Sequence, residues 1–168
     1  MKVVARVALV LLSAAVLERG LFSQLRIGGA AADILLLLAI SAGMVGGPDR
    51  GAVVGFFAGL VLDLLGQSPL GLYALVYCVV GYVVGAAHSA VVRASRWEPM
   101  ALAFLASAVA IALYVVASFM VGRSGLINPH LLVVTAVVSL ANAVLVPFTN
   151  RTLRWALGDG AGSRAAVR

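Results

Sequence analysis

Apolar residues run in long blocks along this chain, and the breaks between them are few, short and polar. Taken against the charged and Pro/Gly interruptions, the blocks predict six membrane-spanning helices. They fall at about Val3 to Leu21, Ala31 to Val45, Gly51 to Leu65, Leu70 to Val92, Pro99 to Val121 and Leu131 to Leu153. The second and third are short. At about 1.5 Å per residue each reaches only part of a roughly 30 Å hydrocarbon core, so the pattern allows tilt, burial against neighbours or a re-entrant path. Helix punctuation marks the boundaries. Asp49, Ser68 and Asn128 are N-cap types, Pro69 and Pro129 follow at a first helical position where a missing N–H costs nothing, and Asp33 precedes the Ile34-Leu-Leu-Leu-Leu run.

Composition fixes the class. Hydrophobic residues make up 63% of the 168 positions and charged residues 11%, against roughly 25% charged in soluble domains. The mean hydropathy is +1.12. The expected fold is therefore an all-α integral membrane protein, with one transmembrane helical domain over residues 1–157 and a short basic tail over 158–168 that should be disordered. The start resembles a signal peptide, but Leu17-Glu18-Arg19-Gly20 is a poor small-residue cleavage site, which predicts an uncleaved first span. A single cysteine, Cys78, excludes an intramolecular disulfide, and no Cys/His cluster offers a metal site. No cofactor is implied.

The net charge of +6 does not point to nucleic acid, because the basic residues are dispersed and lack a binding motif. They point to topology. In a six-span arrangement Lys2, Arg6, Arg50, Arg93, Arg96, Arg151, Arg154, Arg164 and Arg168 share one side, and Arg19, Arg26 and Arg123 the other. Nine against three predicts that both termini are cytoplasmic.

Against this apolar background Asp63 is the first candidate for function, since an acid within hydrocarbon costs roughly 2.5 to 3.5 kcal/mol on insertion scales and needs a partner, a proton or a task. No Lys or Arg lies inside a neighbouring span. The expected partners are the free N–H groups near Leu70 and Gly71, or the Gln67 and Ser68 side chains, making Asp63 a clamp on the turn between the third and fourth spans. Proton or ion transfer would want a relay of further polar groups. Gly51, Gly55 and Gly59 recur every four residues, as do Gly81 and Gly85 on the next span, giving small stripes that let helix backbones approach closely. Such a stripe packs inside its own bundle or docks another protein; Ala106 and Ala110, or Ala108 and Ala112, offer weaker versions. Asn142 and Pro147 share the last span, where the proline frees the carbonyl of Ala143 and predicts a bend, and Asn142 can satisfy a backbone group or bond across helices. His88 and His130 read as solitary solvated or capping residues. Tyr73, Tyr77, Tyr82, Trp97 and Trp155 supply candidates for interfacial anchors. No nucleophile with an adjacent base, paired acids or phosphate loop suggests an enzyme.

Taken in order, Asp33-Ile-Leu-Leu-Leu-Leu, Gly47-Pro48-Asp-Arg-Gly51, Gly55-Phe-Phe-Ala-Gly59-Leu-Val-Leu-Asp63, Ser68-Pro69-Leu-Gly71, Gly81-Tyr-Val-Val-Gly85 and the late Asn142 and Pro147 resemble the rod shape-determining protein MreD family over roughly residues 30 to 150. Ala32 departs from it, standing where family members usually carry Pro before the acid. The resemblance implies a scaffold in the bacterial inner membrane that binds the bitopic protein MreC, and with it RodA and its penicillin-binding transpeptidase, with MreB filaments on the cytoplasmic side. It further implies a fold similar to the six-helix substrate-binding components of energy-coupling-factor transporters and no enzymatic activity. The competing class is a vitamin-like small-molecule binding subunit on that fold. Such subunits commonly carry Ala-x-x-x-Ala on the first helix, and here the residues four on from Ala5, Ala8, Ala14 and Ala15 are Leu9, Leu12, Glu18 and Arg19.

Overall fold

A computed structural model of the chain describes residues 2–20, 33–65, 70–90, 97–122 and 130–157. They form six α-helices: α1 (Lys2–Gly20), α2 (Ile34–Gly46), α3 (Pro48–Leu65), α4 (Leu72–Ala90), α5 (Glu98–Met120) and α6 (His130–Leu157). Three stretches, Leu72–Ala90, Glu98–Met120 and Leu131–Leu157, are long and apolar enough to cross a membrane, and Ile34–Gly46 is a shorter apolar helix. The charges of Lys2, Arg6, Glu18 and Arg19 keep α1 from matching them, as Asp49, Arg50 and Asp63 do for α3.

The shortest helix is the hub. α2 touches all five others, while α1, α3, α4, α5 and α6 contact one another in that cyclic order, closing a ring around it. This follows from its sequence: Ile34-Leu-Leu-Leu-Leu-Ala-Ile has no polar face, and a helix apolar all round belongs in the interior. Every residue from Leu35 to Met44 is buried. Its short length is thus resolved as burial against neighbours.

The ends of α2 have clear causes. Asp33 takes an extended conformation and its Oδ1 accepts from the Leu36 amide at 2.8 Å, so it is the N-cap. At the other end Gly47 adopts φ 85° and donates its N–H to the Gly43 carbonyl at 2.9 Å. Pro48 then opens α3 at once. The sequence-based boundary therefore needs correcting: Asp49 lies inside the first turn of α3 and is not its cap. α4 likewise starts at Leu72, two residues beyond the expected Leu70, with Gly71 at φ 97° before it. Ser68 and Pro69, expected to open that helix, lie outside the described residues, as do Asn128 and Pro129. α6 continues four residues past the expected Leu153 and carries Pro147 within one unbroken helix.

The tightest seam joins α3 and α4. A Cβ added at Gly51 would strike the Gly81 carbonyl, one at Gly55 the Tyr77 carbonyl, and one at Gly59 the Tyr73 carbonyl, while one at Gly85 would stand 2.6 Å from Pro48 Cα. Rising numbers on α3 meet falling numbers on α4, so the two run antiparallel, backbone against backbone. On its other side α4 meets α2, where a Cβ at Gly43 would stand 3.0 Å from the Gly85 amide nitrogen. Of the two readings of the glycine stripe, the structure adopts packing within the bundle. α4 covers the face that a foreign helix would need.

Candidate functional site: a carboxylate–tyrosine cluster

One end of the bundle gathers the C-terminal end of α1, the N-termini of α2 and α4, and the end of α3, and the acids Glu18, Asp33 and Asp63 lie there. Arg6, Arg50, Arg151 and Arg154 lie toward the opposite end, where the Arg6 guanidinium sits 5.2 Å from the Trp155 ring. The cause is local as well as topological. The first amides of a helix lack intrahelical acceptors and carry the positive end of its dipole, so carboxylates are stabilised where helices begin.

Asp63 is 2% exposed. Its Oδ2 accepts from the Gly71 amide at 2.9 Å and the Ala74 amide at 3.1 Å, and its Oδ1 accepts from Tyr73 at 3.2 Å. An acid near the end of α3 thus holds the opening turn of α4. Gly71, with its left-handed φ, turns the chain so that its own amide joins the set. The glycines at 51, 55 and 59 are spaced by four, and Asp63 is the next position on that stripe. It therefore faces α4 for the same reason that they do.

A second acid works the same way. Glu18 Oε2 accepts from the Leu35 amide at 3.3 Å, joining α1 to the beginning of α2. Asp33 caps α2 through one oxygen and accepts the Tyr77 hydroxyl of α4 through the other. Tyr77 is fully buried. Its ring meets Tyr73 edge to face at 5.7 Å, and Tyr73 stacks on Tyr114 of α5 at 4.2 Å with 18° between planes. Glu18, Asp33, Asp63 and three tyrosines so connect α1 through α5. Chemically the cluster fixes helix ends; among the described residues no three His, Cys, Asp or Glu side chains converge to hold a metal.

Two anchor assignments from sequence are corrected here. Tyr73 and Tyr77 belong to this interior cluster and not to a membrane interface, whereas Tyr82, Trp97 and Trp155 are exposed. A signal for this was present: positions 73, 77, 81 and 85 recur by four, placing both tyrosines on the stripe that carries Gly81 and Gly85. His88 is not solitary either, since its Nδ1 lies 3.4 Å from Glu98 Oε1 across the α4–α5 connection.

Asn142 is fully buried and its Nδ2 donates to Ser107 Oγ at 3.0 Å, linking α6 to α5. Of the alternatives for Asn142, the bond across helices is the one formed. Interhelical bonds of this kind contribute about 0.6 kcal/mol on average and about 1.7 at most. A double-mutant cycle of Asn142→Ala and Ser107→Ala, read by unfolding in detergent, should give a coupling near that average. Purely additive effects would show that the pair contributes nothing beyond its packing.

The family model for rod shape-determining protein MreD matches residues 2–154. The chain belongs to this family. It is accordingly a multi-pass membrane protein of the rod shape-determining class, and the match extends the resemblance seen from about residue 30 back through the whole of α1. No curated protein and no solved structure matches the chain significantly.

Proposed function

We propose that the chain is a scaffold subunit of the bacterial cell-elongation complex, which binds MreC within the membrane, supports lateral peptidoglycan synthesis and turns over no substrate. The family match over residues 2–154 carries this reading. RodA and its penicillin-binding transpeptidase join through the same assembly, and MreB is reached indirectly from the cytoplasmic side. The fold is in keeping with such a role, since Glu18, Asp33, Asp63 and Asn142 serve helix ends and helix pairs, and the ring helices α1, α3, α4, α5 and α6 turn large apolar side chains outward. The glycines of α3 and α4 are already in contact with each other, so a partner helix would use one of those outward faces.

Co-expression with MreC of the same organism should yield a complex that survives mild detergent and size exclusion. If MreC never co-purifies, and the protein instead retains a vitamin-like molecule with high affinity, the scaffold reading gives way to the transporter-subunit alternative.

The same proposal sets both termini in the cytoplasm, from the nine-to-three distribution of basic residues. A periplasm-active reporter fused after Arg168 should be silent, and a cytoplasm-active one should be bright. The opposite pair of results would mean an odd number of crossings, with α2 or α3 failing to span.

A further inference from the structure

Between α1 and α3 runs an open groove of about 600 Å³. Its walls are Val7, Leu11 and Leu12 on one side and Val53, Phe57 and Val61 on the other, and at its basic end it reaches Arg50. We propose that this groove binds the hydrocarbon chain of an anionic membrane lipid, with the lipid phosphate held at Arg50.

Arg50 and Val61 are eleven residues apart, about 16 Å along α3 at 1.5 Å per residue. An apolar lining of that length with a cation at one end matches an extended acyl chain joined to an anionic headgroup.

The charge completes the site. The Arg50 stem lies over Gly46, where an added Cβ would stand 2.8 Å from Arg50 Cδ, and among the described residues Arg50 forms no ion pair. Asp49 shares the mouth, but as an acid in the first turn of α3 it faces the positive end of that helix's dipole. An acyl chain moving from bulk lipid into an apolar groove gains no hydrophobic energy, so selectivity must come from the headgroup. One basic residue near an anionic lipid corresponds to about 1 kcal/mol, or about fivefold in binding.

The test places a tryptophan in the groove as Phe57→Trp, and a control at exposed mid-helix Val109→Trp on α5, in a chain with Trp97→Phe and Trp155→Phe. Each protein is reconstituted with brominated phosphatidylglycerol or brominated phosphatidylcholine, and relative binding is read from fluorescence quenching. Phosphatidylglycerol should be favoured about fivefold at position 57 and not at 109, and Arg50→Gln should abolish the preference. Ala8→Phe, which fills the groove but keeps the charge, should weaken quenching at 57 for both lipids; the elution profile and helical circular dichroism identify variants that still fold. Equal quenching by the two lipids at position 57 would mean ordinary boundary lipid and would overturn the proposal. So would no quenching at 57 with either lipid, which would mean that a protein segment, such as residues 158–168, fills the groove.

Discussion

Gly55→Leu and Gly59→Leu should each abolish most of the folded yield, and even Gly55→Ala should lower it measurably. The reason lies in what each position faces. A Cβ at Gly55 falls on the Tyr77 carbonyl, and one at Gly59 on the Tyr73 carbonyl with Ala74 Cα only 2.5 Å away. Those are backbone atoms within a helix and cannot step aside as a side-chain tip can. Overpacking a core costs about 1–3 kcal/mol when side chains can adjust, and here the whole of α4 would have to move. That motion would also strip close contacts along the seam from Gly85 to Tyr73, where dispersion and not hydrophobic drive holds helices together. Leu60→Ala is the control: its side chain is half-buried on another face of α3, and its loss should cost far less. The measurement is monodisperse protein after detergent extraction, together with the thermal midpoint. Equal tolerance at positions 55, 59 and 60 would refute the seam.

The fold was legible in the sequence to the extent that one helix could be read at a time. Apolar blocks gave six helices, and the i, i+4 glycines gave the stripe on α3, because spacing within a helix fixes which residues share a face. What could not be read was the pairing of faces. Asp33 and Tyr77 are 44 residues apart, and their bond requires α2 and α4 to run parallel in one particular register. Nothing local to either residue states that register; only the closeness of Gly43 to Gly81 and Gly85 reveals it. The contact between His88 and Glu98 was hidden for a similar reason, since it forms only once α5 has folded back beside α4. The short length of α2 was ambiguous by itself and became informative when the other five helices were seen to enclose it.

Register also explains why the cluster lies where it does. Along α3 the close contacts proceed from Gly51 through Gly55 to Gly59, and the next turn brings Asp63 opposite the first amides of α4. A fourth glycine there would leave those amides without this acceptor, a cost of about 1–3 kcal/mol for each that stays buried and unsatisfied. A carboxylate answers that need at the one point on the stripe where the α4 backbone offers donors. Close packing and helix capping are thus one device along one face.

The expected order for Asp63 variants is wild type above Asp63→Asn, above Asp63→Ala, above Asp63→Leu, in both stability and rod-shape complementation. Asparagine keeps the shape and one acceptor oxygen. Placed as Oδ2 is, that oxygen would retain the Gly71 and Ala74 amides, while the new NH₂ would face the Tyr73 amide that Oδ1 now accepts. Asp63→Asn should therefore lose the charge-assisted share and one bond, about 1–3 kcal/mol. Alanine leaves all three amides without this acceptor, at about 1–3 kcal/mol for each that stays unsatisfied, and opens a small void. Leucine adds bulk against the α4 backbone and should be worst. The ordering discriminates between roles more sharply than any single loss does. A structural clamp tolerates a neutral isostere, whereas a group that carries a proton or presents a charge to a partner does not. If Asp63→Asn inserts and folds as well as wild type yet abolishes rod shape as completely as Asp63→Ala, the negative charge itself is required, and the clamp is not what Asp63 is for.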